Sequence, residues 1–157
     1  MSAFGMVTDR MKLGFTQPTR IRSPVTMAQT IATLDELTGG RVVVSPGACT
    51  KQQADQHGLE VVDPPGTLIE WMEVMREILK GEPVHYDGDH VELAGVGLNW
   101  TPIRDHIPFW QPSMSLTGFR IAAKWADGIL LDAACSPEYA ENAVEILRKH
   151  VEEAGRD

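Results

Sequence analysis

The chain has 157 residues, 43% hydrophobic and 23% charged, with a formal net charge of −8, so it is long enough for one domain with a buried core. No apolar run approaches the ~20 residues of a membrane span, and residues 1–10 lack the basic and apolar regions of a signal peptide, so a cytoplasmic protein with no membrane partner is expected. The charge is divided, with six basic against three acidic side chains in residues 1–51 and eight against nineteen in residues 52–157, and the acidic part argues against a nucleic-acid partner.

In chain order, residues 10–16 read as a short strand ending at Gly14, Phe15 and Thr16. A loop over residues 17–20 leads to a helix with Ser23 as N-cap and Pro24 at its first position. Val25, Ala28, Ile31, Ala32 and Leu34 recur at helical spacing, Gly39 and Gly40 stop the helix, and Val42, Val43 and Val44 form a buried strand. Residues 46–66 read as a long loop. Thr67 and Glu70 form a capping-box pattern for a helix that carries Leu68, Met72, Met75, Ile78 and Leu79 inward and ends at Gly81. Asp87-Gly88 then marks the turn of a hairpin insert near residues 83–94.

Residues 107–111 are a further buried strand with Pro108 near its start. A helix over residues 115–126 presents Phe119, Ala122, Ala123 and Ala126, and residues 128–132 form a fourth strand. Ser136, Pro137 and Glu138 begin a last helix, with Ala143, Val144, Leu147 and Val151 facing inward and Gly155 at its end. Four strand–helix units in alternation predict an α/β protein with a parallel sheet and right-handed crossovers. In such folds ligands gather at the C-terminal ends of the strands.

Several segments together resemble one family. They are Arg22-Ser23-Pro24 before the first long helix, A-T-L-D-E-L-T-G-G-R over residues 32–41, Ala126-Asp127-Gly128 before the fourth strand, and E-A-G-R-D over residues 153–157. This pattern resembles the bacterial luciferase-like superfamily, nearest to its deazaflavin-dependent methylene-tetrahydromethanopterin reductase branch. The resemblance implies part of a (β/α)8 barrel in a single partial domain over residues 1–157, with the four strands matching the family's third to sixth. It implies coenzyme F-420 or FMN as cofactor, a small-molecule substrate, and hydride transfer or monooxygenation. The family's first two strands, which supply an acidic or histidine group beside the cofactor ring, have no counterpart here, and neither do the last two. The chain is therefore expected to be a fragment of a longer product, an inactive half-barrel that pairs as a homo-oligomer to cover its open edges, or one complemented by a second chain. No catalytic residue is assigned.

The same resemblance implies four strand-end segments as the cofactor site. In the first, Gly14, Phe15 and Thr16 with Gln17 would hold a non-prolyl cis peptide against the ring; an ordinary strand-to-helix turn reads equally well. In the second, Gly47 and Ala48 fall in a family pattern of three alternating glycines, of which only Gly47 is present while Ser45 and Cys49 replace the others; Lys51 follows as a contact for phosphate or carboxylate, or as a surface lysine. In the third, Gln111 to Gly118, Ser113, Ser115 and Gly118 stand at a helix start, where free amides and the helix dipole favour an anion, or where Ser115 is simply an N-cap. In the fourth, Asp132 is a polar contact or a loop cap.

Arg10, Lys12, Arg20, Arg22 and Lys51 offer positive charge to an anionic cofactor or are scattered over the surface. Cys49 and Cys135 read as isolated thiols. His85, Asp87, Asp89 and His90 lie close in sequence, but facing hairpin positions do not converge on a metal as helical histidines do, so no metal is assigned. His57, His106 and His150 have no visible partner for a nucleophilic triad. The four tryptophans and seven methionines read as core filling.

Overall fold

The structure, a computed structural model, describes residues 1–60 and 62–156, and the backbone alone of Gln17. Val61, in the long loop, and Asp157, the last residue of the E-A-G-R-D segment, lie outside the described residues. The elements in order are α1 (Ser2–Met6), β1 (Leu13–Pro18), α2 (Pro24–Leu37), β2 (Val42–Gly47), α3 (Lys51–His57), α4 (Pro64–Leu79), β3 (Val84–Asp87), β4 (Glu92–Val96), β5 (Trp110–Pro112), α5 (Leu116–Trp125), β6 (Gly128–Leu130) and α6 (Pro137–Glu153).

β1 pairs with β2 in parallel and β5 with β6, and a parallel bridge from Val44 to Phe109 joins the pairs into the order β1-β2-β5-β6. Side chains alternate across each strand. Leu13, Phe15, Val42, Val44 and Phe109 therefore share one face, and all but Leu13 pack in one cluster with Met27 and Ile31 of α2 and Trp71, Met72, Met75 and Ile78 of α4. The opposite, concave face carries Gly14, Thr16, Val43, Ser45, Trp110, Gly128 and Leu130. Trp110 and Leu130 on it are 43% and 41% exposed, so part of that face is open.

Several sequence expectations need correction. β1 begins at Leu13 rather than Arg10 and stays in register through Pro18, opposite Gly47. Every described peptide bond is trans, so the cis bond implied for residues 14–17 is not there. The long loop contains α3, whose start is a reciprocal capping box: the Thr50 hydroxyl accepts from the Gln53 amide and the Gln53 side chain accepts from the Thr50 amide. α4 begins at Pro64, four residues before the start a Thr67 N-cap would set, because two prolines pre-set its first turn.

Thr67 and Glu70 consequently do other work. The Thr67 hydroxyl donates to the Val62 carbonyl, and the Glu70 carboxylate accepts the amides of Asp89, His90 and Val91 at 2.8–2.9 Å. That anchor turns the hairpin tip over residues 88–91 into a wider loop than the two-residue Asp-Gly turn predicted. Glu73, one turn along α4, accepts from the Tyr86 hydroxyl and the Trp125 indole, both at 2.8 Å. Val144 is 42% exposed rather than inward, since α6 is covered on only a narrow stripe around Ala143. Met1, Met6, Met11 and Met114 are exposed, so four of the methionines do not fill the core.

Two carboxylates fasten the N-terminal ends of the strands. Asp35, whose side chain is 2% exposed, accepts from the Val42 amide at 3.0 Å and takes both arms of the Arg104 guanidinium at 2.6 Å. Arg104 also donates to the Val42 carbonyl. Asp127 repeats the device, accepting from the Phe109 amide and from Arg76, each at 2.8 Å, and from His106 at 3.0 Å. Arg76 lies over the Phe109 ring, 4.5 Å from its centre. Arg41 ties down α1 by donating to the Gly5 and Thr38 carbonyls. The residues that carry the A-T-L-D-E-L-T-G-G-R and Ala-Asp-Gly segments are thus structural ones at the far end from the strand C-termini.

Removing one partner of a buried, doubly hydrogen-bonded pair leaves an uncompensated charge. Asp35→Ala is therefore expected to cost about 3–5 kcal/mol in urea unfolding; a loss below about 1 kcal/mol would show that the pair does not hold the strand. Burial opposes the Asp127 charge, but the Phe109 amide and Arg76 outweigh it and lower its pKa. Because the folded value is depressed, the ionised group stabilises the fold above about pH 4, and that contribution disappears as pH falls through the folded value. Asp127→Asn should flatten the acid limb of a stability–pH curve; an unchanged limb would assign acid sensitivity elsewhere.

Candidate functional site

The C-terminal ends of β1, β2 and β5 converge with the N-termini of α3, α4 and α5 around a cavity of about 370 Å³. That is within the lower range of small-molecule sites. Thr16, Gly47, Ala48, Ser113, Ser115 and Gly118 of the residues singled out in the sequence line it. Gly14 and Phe15 do not. Gly14 is on the concave face with open space where a Cβ would stand, and Phe15 packs towards the helices. The remaining wall comes from Pro18, the Thr50–Gln53 cap, Pro64, Pro65 and Leu68 of α4, Gln111 and Pro112 of β5, and Thr117 and Ile121 of α5. The T-x-x-Q cap was readable as a helix start and would have brought α3 to the site, whereas Gln111 already heads the third strand-end segment read from the sequence.

The wall contains no titratable side chain among the described residues. Its polarity comes from hydroxyls, an amide and helix ends. Ser115 caps α5 by accepting from the Gly118 amide at 3.1 Å, and the Ser113 hydroxyl accepts from the Ser115 amide at 3.0 Å. The first turn of α5 holds no acidic residue, and the first amides of any helix have no partner within it, so this end is open to negative charge. A Cβ at Gly118 would collide with the Ser113 hydroxyl, so glycine is what allows that serine to lie over the helix start.

Two buried atoms near the cavity lack a partner among the described residues: the Gln111 side-chain oxygen, on the wall, and the Ser45 hydroxyl, level with Thr16 in the sheet. Buried polar groups are normally paired. Ser45 and Cys49, which stand where the family pattern has glycine, are both buried and neither lines the cavity; the Cys49 thiol is turned to the Thr50 carbonyl.

Other candidates are held elsewhere. Lys51 is exposed and pairs with Asp55 at 3.0 Å. Asp132 caps its own loop by accepting from the Ala134 amide. Arg10 and Lys12 precede β1 at its far end, whereas Arg20 and Arg22 follow it. His90 pairs with Asp63, His106 with Asp127 and His150 with Glu153. Among the described residues no three His, Cys, Asp or Glu side chains gather as a metal site, both cysteines are free, and no helix is long and apolar enough to cross a membrane.

Residues 1–157 match the luciferase-like monooxygenase family. The 5,10-methylenetetrahydromethanopterin reductase of Methanopyrus kandleri is 32% identical over 96% of this chain and 48% of its own length. The structure of the coenzyme F-420-dependent tetrahydromethanopterin reductase from that organism superposes with a TM-score of 0.89 at 28% identity, over 99% of this chain and 49% of that one. A long-chain alkane monooxygenase has the same fold, with a TM-score of 0.89 at 21% identity. The chain spans about half the length of the relatives it matches.

Gly118→Ala should displace Ser113, whose Cβ as well as hydroxyl the added methyl would meet, and weaken anion or cofactor binding at the α5 start by about tenfold, with a lowered urea midpoint. Equal binding by variant and parent would remove Ser113 and Gly118 from the site.

Proposed function

This chain belongs to the luciferase-like monooxygenase family, and we propose that it is the central half of a (β/α)8 oxidoreductase holding coenzyme F-420 or FMN at its strand ends. The observation that carries the reading is the cavity where Thr16, Gly47, Ser113, Ser115 and Gly118 meet the start of α5. Its donor set fits such a group at the phosphate-bearing end. The first amides of α5 and the Ser113 and Ser115 hydroxyls would face the anion, and the uncharged wall leaves the helix dipole uncompensated. Gly14 and Thr16 leave the concave face low beside β2, where a flat ring can approach the backbone. The Gln111 oxygen is a free acceptor for a ligand N–H or O–H.

When bound, either cofactor supplies hydride transfer with a small organic substrate or, for FMN with oxygen, monooxygenation. The residues of this chain bind, orient and exclude water. With no titratable group in the wall, proton transfer falls to side chains from other strands of the barrel. Those strands would complete the site from the same polypeptide or a second chain, and they would cover the open concave face around Trp110 and Leu130.

A fluorescence titration of the 157-residue chain with FMN and, separately, coenzyme F-420 tests the reading. Saturable binding of one cofactor at micromolar concentration, weakened in Gly118→Ala, is the expected result and identifies the cofactor. A folded sample that binds neither would overturn it.

A further inference from the structure

A second hollow, of about 430 Å³, shares no lining residue with the strand-end cavity. It lies between the loop from β1 to α2, the first turns of α4 and the hairpin tip, and Arg20, Arg22, Ser23, Glu60, Trp71 and His90 are in its wall. Three observations single it out. The Trp71 indole N–H is buried, with the residue 1% exposed, and has no acceptor among the described residues. Arg22 is exposed and makes no hydrogen bond or ion pair in the described structure. Arg20 is held at a φ of 71° and Asp63, beside the hollow, at 40°, in a region that residues other than glycine rarely adopt and that concentrates at binding sites.

The strain at Arg20 is maintained by what its guanidinium does. One arm donates to the Glu60 carbonyl at 2.5 Å and the other to the Thr67 hydroxyl at 3.4 Å, so the charge is anchored across the hollow without being neutralised by a carboxylate. Arg22 adds a second positive charge at the start of α2, whose first turn holds no acidic residue. The acidic side chain of the wall is Glu60; Asp63 outside it is engaged by His90 at 3.2 Å. Two guanidinium groups, a helix start and an unsatisfied indole donor outnumber the one carboxylate of the wall, Glu60, and leave the hollow with an excess of positive charge and donors.

We propose that this hollow binds a small oxyanion, a phosphate or carboxylate group, through Arg22, Arg20 and the Trp71 indole N–H. It is a site separate from the strand-end cavity and stands whether or not that cavity holds a flavin or deazaflavin. Its ligand is the anionic part of a substrate, of a cofactor tail or of a free metabolite.

Heteronuclear NMR of the 157-residue chain tests this through the indole N–H resonance of Trp71, assigned with Trp71→Phe. Inorganic phosphate and glutarate are titrated separately at constant ionic strength, set with sodium chloride. The expected result is a saturable shift of that resonance with one or both anions. The apparent Kd should rise about tenfold in Arg22→Ala and stay unchanged in Lys12→Ala, at the other end of β1. Response to phosphate alone assigns a phosphorylated ligand, and response to glutarate alone a carboxylate. The proposal is overturned if neither anion moves the resonance, if chloride moves it equally, or if Arg22→Ala binds as the parent does. Because Arg22 is exposed and makes no hydrogen bond, its variant retains the fold, and a preserved spectrum elsewhere verifies that.

Discussion

The strands of this chain are fastened by a carboxylate at their N-terminal end. Asp35 sits in the last turns of α2, takes the first amide of β2, and is gripped by Arg104 from the segment before β5. One buried charge thus sets the height of a helix, the start of the central strand and the approach of the next unit. Desolvation makes that charge costly unless it is fully paired, and here both oxygens are paired. Asp127 repeats the arrangement one unit later, with Phe109 and Arg76 in place of Val42 and Arg104. The strand C-termini are left free of such fasteners and open into hollows.

The two ends of the sheet therefore have opposite chemistry. The N-terminal end is charged, paired and closed. At the other end three helix starts surround a cavity without a single charged side chain, with unpaired oxygens on Gln111 and Ser45. Low charge and free donors are what an anionic, planar cofactor requires, because the backbone then supplies the potential and no side chain competes. Proton transfer is missing from this wall, which fits a chain that spans about half of its relatives' length.

Local signals were the legible ones. Ser23 with Pro24, Ser115, and Ser136 with Pro137 cap the helices they were expected to cap, because a cap is settled by bonds within four residues. Leu68, Met72, Met75, Ile78 and Leu79 are buried as their spacing predicts, because α4 lies between a sheet and a second helix. Where the reading failed, a distant partner intervened. Thr67 and Glu70 have the right spacing for a capping box, yet Glu70 is drawn to three amides of the hairpin about twenty residues away. Those same bonds widened the Asp87-Gly88 turn. Val144, by contrast, follows the helical period of α6 but is covered too little to be inward, at 42% exposed.

By itself the sequence determined the alternation of strands and helices, most helix starts, and the family, in whose segments Asp35, Arg41 and Asp127 hold the strand ends. Spacing and capping are properties of neighbouring residues and can be read in one dimension. Only the tertiary structure decided which strand-end residues meet. It brought Thr16, Gly47 and Ser113 to one cavity with Gln111 and the α3 cap, turned Phe15 away, and placed Arg20, Arg22 and Trp71 around a separate hollow. Those groupings join residues tens of positions apart, and strand register and helix packing, not local preference, set the distances between them.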